Sequence, residues 1–202
     1  MSQEVRNLEP TVMWNHFADL NAVPRPSKKE ERVIDFMVQF GKRLGLSTIV
    51  DEVGNVIIKK PASKGMEDRQ TIVMQSHLDM VHQKNASTVF DFDKEGIKMF
   101  IEGDWVKADG TTLGADNGIG VASIMAVLSS ETIAHPPIEA LFTIDEETGM
   151  TGAMGLKGGL LDGTIMLNLD TEDDDELTIG CAGGIDVTAK GTYSSEPAGS
   201  GV

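Results

Sequence analysis

With one cysteine in 202 residues, Cys181, the chain has no internal disulfide framework and no zinc site built from four thiolates. Cys181 sits in Gly180-Cys181-Ala182 without a base beside it and reads as a small buried residue. Basic residues are also in short supply, 17 against 32 acidic ones, which leaves a formal net charge of −15. A surface so negative repels nucleic-acid phosphates and anionic lipid, so neither is an expected partner. No run of residues approaches the roughly 18 consecutive apolar positions of a membrane span. Met1 to Pro10 has charges at Glu4, Arg6 and Glu9 and no apolar core, so it does not read as a signal peptide, and the cytoplasm is the expected compartment.

Apolar spacing predicts a first helix from about Pro10, through Val12, Trp14, Phe17, Leu20 and Val23, stopped by Pro24 and Pro26. Ser27-Lys28-Lys29-Glu30 has the pattern of a capping box for a second helix carrying Val33, Phe36, Met37, Phe40 and Leu44 and ended by Gly45. Strands are expected at 48–50 and 56–58 around a turn at Gly54-Asn55, then at 71–75, 138–144 and 164–169, with Trp105 in a further strand. A buried helix is expected at 118–128, a short one at 151–157, and an extended pair over 176–192. Strands alternating with helices indicate an α/β domain with a largely parallel or mixed sheet. The 11 methionines read as core fillers.

Three of these strands run into side chains able to bind metal. The first leads to Ser76-His77-Leu78-Asp79, the second to Asp145-Glu146-Glu147 and the third to Asp170. Ligands of open α/β sheets bind beyond the carboxyl ends of the strands, so these groups are placed to converge. Asp116, in Gly114-Ala115-Asp116-Asn117-Gly118, is a fourth candidate. Imidazole and carboxylates suit zinc, and two ions about 3.5–4 Å apart can activate a water and polarise a carbonyl together. His77 and Asp79 share a strand face, so Asp79 can support the imidazole from behind. Glu146 and Glu147 diverge, so one can hold metal while the other serves as a base. By contrast, Gly118-Ile119-Gly120 is half of a dinucleotide fingerprint and follows no strand. The acidic run from Glu172 to Glu176 lacks the pattern of a calcium loop and reads as a solvated turn.

These motifs, with Thr112-Leu113-Gly114-Ala115-Asp116-Asn117-Gly118-Ile119-Gly120, Asp145-Glu146-Glu147-Thr148-Gly149, Asn168-Leu169-Asp170 and Ile179-Gly180-Cys181-Ala182-Gly183-Gly184, resemble the aminoacylhistidine (Xaa-His) dipeptidases, also called cytosol non-specific dipeptidases. The likeness runs from about residue 10 to residue 190. It implies a zinc-peptidase-like mixed, largely parallel sheet flanked by helices, and hydrolysis of Xaa-His and broader dipeptides. It implies two zinc ions, or cobalt or manganese in their place. Asp116 would bridge the ions, His77 and Asp170 would complete one, and Glu147 would bind the other. Glu146 would be the general base and Asp79 would stand behind His77. A cis peptide at Asp116-Asn117 is implied as well.

The family also carries a further histidine ligand and a second domain, inserted after about residue 185, that makes dimer contacts and clamps substrate. On this reading residues 1–184 are the N-terminal part of the catalytic domain, truncated at its C-terminal side. Residues 185–202 begin an incomplete lid, and the full-length protein is a homodimer acting on a dipeptide substrate. The fragment is then expected to hold its second zinc weakly and to have little or no activity. None of His16, His82 and His135 stands where the further ligand is expected. His16 is expected at the surface, His135 in an exposed loop, and His82 beside the site without binding metal. A related zinc deacylase or aminoacylase, or a metal-binding remnant without catalysis, are the competing functions.

Overall fold

In the computed structural model, residues 3–171, 175–180, 183–185, 187–195 and 199 are described. They divide into two units, 1–171 and 172–202.

The first unit is built on a five-stranded sheet. Its strands are β1 (Ser47–Val50), β2 (Val56–Lys60), β3 (Ile72–His77), β6 (Ile138–Thr143) and β7 (Ile165–Asn168), in the order β1-β2-β6-β3-β7. Strands β6, β3 and β7 run parallel, and β2 and β1 continue the sheet antiparallel. Every residue of β6 is buried, which explains its unbroken Ile-Glu-Ala-Leu-Phe-Thr run where a half-exposed strand would alternate. Its one charged residue, Glu139, is paired with Lys59 at 2.6 Å and accepts the amides of Asp162 and Gly163. The hairpin between β1 and β2 turns on Asp51, whose Oδ1 takes the amides of Val53, Gly54 and Asn55, while Gly54 supplies a φ of 109°. Strands β4 (Met99–Glu102) and β5 (Trp105–Ala108) form a separate hairpin.

Helices α1 (Thr11–Asn21), α2 (Glu31–Arg43) and α3 (Ala115–Ser129) are the long ones. Helix α2 buries Val33, Met37 and Phe40 of the stripe read from the sequence, while Phe36 is half-buried and Leu44 is exposed at the helix end. The main core joins these side chains to Val56 and Ile58 of β2, Ala140 and Phe142 of β6, and Val121, Ile124 and Leu128 of α3. Ile57, Val73 and Leu141 point to the other face, against Leu156, Leu160 and Leu161. Helix α3 is buried on most of its surface, packed on both α1 and the sheet, as its apolar composition requires. Two short helices, α4 (Glu146–Gly149) and α5 (Thr151–Gly155), follow β6.

Three expectations are corrected. The capping box at Ser27 and Glu30 does not form, because both side chains are engaged elsewhere. Ser27 bonds Asp79, and Glu30 takes the amides of Lys28 and Asp145. His135 is buried, 6% exposed, because Ser63 bonds both its backbone groups and its ring lies against the Pro136 carbonyl. His16 is half-buried, with its ring edge-on to Phe40 and Nε2 at 3.0 Å from Ser129 Oγ.

In the second unit no strand or helix occurs among the described residues, so the extended pair expected at 176–192 is absent there. Leu177, Ile179, Ile185 and Val187 are exposed and have no packed face to hold a ladder. Cys181 and most of the acidic run at 172–176 lie outside the described residues.

Candidate metal centre

The site lies at the carboxyl ends of β3, β6 and β7. His77 is the last residue of β3, Glu146 and Glu147 open α4 just beyond β6, and Asp170 follows β7. Asp116 enters from the first turn of α3, where the backbone is kinked. Asp116 and Asn117 are non-helical, and the peptide between them is cis. His77 Nε2 lies 3.0 Å from Asp116 Oδ1, 3.9 Å from Asp170 Oδ2 and 3.9 Å from Glu146 Oε2. One donor atom from each of His77, Asp116 and Asp170 lies within 4.8 Å of the others. A nitrogen and two carboxylate oxygens so gathered match the donor set and reach of one zinc ion, whose bonds are about 2.0–2.2 Å long. Glu147 stands outside this group. Its Oε1 accepts the amide of Val81 at 3.3 Å, and burial, then the Asp116 charge, push its pKa up.

Asp79 is completely buried and organises the rest. Its Oδ1 takes the amide of Glu146 at 3.0 Å, while Oδ2 takes the amide of Glu147 at 3.2 Å and the Ser27 hydroxyl at 2.8 Å. Its carboxylate and carbonyl oxygens lie 3.3 and 3.1 Å from His77 Nδ1. With Nδ1 turned to Asp79, Nε2 is the nitrogen that faces Asp116 and Asp170, and losing its proton would free it to bind a metal.

Burial alone would discharge these groups. For His77 the hydrogen bond and charge of Asp79, with Asp170 and Asp116, outweigh burial and carry its pKa to about 9. Burial likewise opposes ionisation of Asp79, yet the bonds from His77, Glu146 and Ser27 bring it down to about 2. Glu146 is pushed up, first by burial and then by the charges of Asp170, Glu147 and Asp79. A cation bound among these carboxylates would relieve the crowding of negative charge.

Asp145 aims α4 at the site. It adopts a left-handed conformation, φ 52°, and its carboxylate takes Lys28 Nζ at 2.8 Å and the hydroxyls of Thr148 and Thr151. Asn117 serves Asp170, donating from Nδ2 to Asp170 Oδ1 and to the Leu169 carbonyl, each at 2.8 Å. Sequence reasoning placed none of Ser27, Arg25 and Asn117 at the site. Asn117 was within reach as the neighbour of Asp116, whereas Ser27 and Arg25 lie some fifty residues before the strand end they support. His82 is exposed, its ring edge-on to Phe92.

No protein-family model matches the chain. The chain is 50% identical over 186 residues to the cytosol non-specific dipeptidase of Escherichia coli (strain K12), a match covering 92% of this chain and 38% of that protein. The crystal structure of aminoacylhistidine dipeptidase from Vibrio alginolyticus shares its fold with a TM-score of 0.84 and 50% identity, over 85% of this chain and 35% of that one. Aminopeptidase PepT from Bacillus cereus ATCC 10987 gives a TM-score of 0.68 at 28% identity, over 80% of this chain and 43% of the other.

The mixed sheet, with its acidic and imidazole groups at the strand ends, is therefore a fold shared with peptidases. Within that class, the chain is similar in sequence and fold to cytosol non-specific, or aminoacylhistidine, dipeptidases, and it spans 38% of the length of the Escherichia coli relative.

Proposed function

We propose that the whole protein hydrolyses dipeptides, Xaa-His among them, at this site. His77, Asp116 and Asp170 hold one divalent cation, and Asp116 and Glu147 hold a second. Zinc fits the donors, and cobalt or manganese are accepted by the same oxygen-rich set. The observation that carries the reading is the approach of Asp116, Asp170 and Glu146 to one imidazole nitrogen, all within 3.9 Å.

When bound, the ions supply a polarised peptide carbonyl and a water that ionises near neutral pH. Glu146 takes the proton of the attacking water and returns it to the leaving amine. Asp79 fixes the His77 tautomer and, through the amides of Glu146 and Glu147, the direction of both carboxylates.

The same reading extends to the setting. The whole protein works in the cytoplasm, as the name of its Escherichia coli relative states for that enzyme, and it is a homodimer. Among the described residues no helix is long and apolar enough to cross a membrane.

Amine release from Ala-His and from N-acetyl amino acids, by the zinc-loaded whole protein, tests the reading. Chelator-sensitive hydrolysis of the dipeptide is expected. Preference for the N-acetyl substrate would make it a deacylase, and zinc binding without hydrolysis of either would make it a metal-binding protein.

A further inference from the structure

Arg25 lies between two prolines and is 1% exposed, among the largest wholly buried side chains of the chain. Among the described residues no carboxylate touches its guanidinium. Its acceptors are backbone carbonyls and one amide. Nη1 donates to the carbonyl oxygens of Leu78 at 3.0 Å and Asp79 at 3.1 Å. Nη2 donates to the carbonyl of Gly114 at 2.5 Å and to Asn21 Oδ1 at 3.1 Å. Asn21 in turn donates from Nδ2 to the carbonyl of Leu113 at 3.0 Å. One planar fork thus grips the chain just after His77 and the chain two residues before Asp116.

The Asp79 carbonyl that Arg25 holds is also the one facing His77 Nδ1. The glycines of the Asp116 loop make room for the fork. A Cβ on Gly114 would stand 2.5 Å from Nη2, and one on Gly118 2.7 Å from it. The burial lowers the pKa of Arg25 to about 10, against the opposing charges of Asp79, Asp116 and Glu147, so it remains a cation at neutral pH. Its charge also offsets a site that is otherwise acidic.

We propose that Arg25 is a positioning residue for the metal centre, fixing the spacing between His77 and Asp116 by clasping the two loops that carry them. The proposal rests on the reading of this site as a metal centre. Lysine, with a point charge and no fork, cannot span Leu78, Asp79 and Gly114 together.

The test uses the whole protein with Co²⁺ as probe, reading affinity by chelator competition, the visible Co²⁺ spectrum, and thermal unfolding without metal. Arg25→Lys is expected to lose about ten- to a hundredfold in Co²⁺ affinity and to change the spectrum, with kcat falling more than KM rises. Gly118→Ala, which keeps the arginine but crowds Nη2, should shift affinity and spectrum in the same direction. It serves alone if the Arg25 variant does not fold. Wild-type affinity and spectrum in folded Arg25→Lys or in Gly118→Ala, with only the unfolding temperature lowered, would overturn the proposal. Asp116→Asn separates the two levels. If it too binds Co²⁺ like wild type, the metal centre itself is misassigned and the positioning role falls with it. If it loses Co²⁺ while Arg25→Lys does not, only the role of Arg25 is wrong.

Discussion

Ser27 donates its hydroxyl to Asp79 Oδ2 at 2.8 Å, tying the turn before α2 to the carboxylate behind His77. Both side chains are buried, so the bond is shielded from water. Removing it leaves Asp79 with the two α4 amides and His77 but one donor fewer for its charge. Ser27→Ala should weaken zinc binding about tenfold, in line with losses of groups that orient metal ligands, and calorimetric titration of zinc would measure it. An unchanged affinity would mean that the α4 amides alone orient Asp79.

The His77–Asp79 pair sets a pH window for the metal-free protein. The pKa of Asp79 is lowered to about 2, so its contribution is present above its unfolded value near 3.8 and is lost as pH falls toward 2. The pKa of His77 is raised to about 9, so its contribution is present below its unfolded value near 6.5 and is lost as pH rises through 9. Thermal unfolding of the metal-free protein should therefore show this pair contributing fully between about pH 4 and 6.5. His77→Gln should flatten the alkaline side of the profile.

Asn117 holds Asp170 by its amide nitrogen. Asn117→Asp would set a second carboxylate at 2.8 Å from Asp170 Oδ1 in place of a donor. Zinc affinity and kcat should both fall, by more than in Asn117→Ser, and titration of the two variants side by side would reveal the difference. Equal losses would mean that the steric frame, and not the donor, is what Asp170 requires.

Gly120 sits where three polar atoms converge. A Cβ there would lie 2.3 Å from Asn117 Oδ1, 2.5 Å from Ser76 Oγ and 2.7 Å from the Leu169 carbonyl. Neither backbone nor buried side chains can retreat easily, so Gly120→Ala should cost about 1–3 kcal/mol, read from denaturant unfolding. It should also disturb Asp170, which follows Leu169 in the chain.

Much of this architecture was legible because the signals were periodic or local. The α2 stripe, the apolar runs of β3 and β6, and the placement of His77, Glu146, Glu147 and Asp170 at strand ends follow from side-chain spacing and from the order of strands and helices. What escaped was set by contacts distant in sequence. Ser27 and Glu30 have the spacing of a capping box, but buried partners at Asp79 and Asp145 offered better bonds than the helix end did. His135 looked exposed beside Pro136-Pro137, and its burial depends on Ser63, more than seventy residues away. Arg25 carries a charge that composition assigns to the surface. Only the folded arrangement reveals four acceptors waiting for it inside.

The most direct measurement is anomalous diffraction at the zinc edge from a zinc-soaked crystal. The account predicts a peak within about 2.0–2.2 Å of His77 Nε2 and of a carboxylate oxygen from each of Asp116 and Asp170. An empty site at that position, with zinc bound elsewhere or not at all, would contradict it.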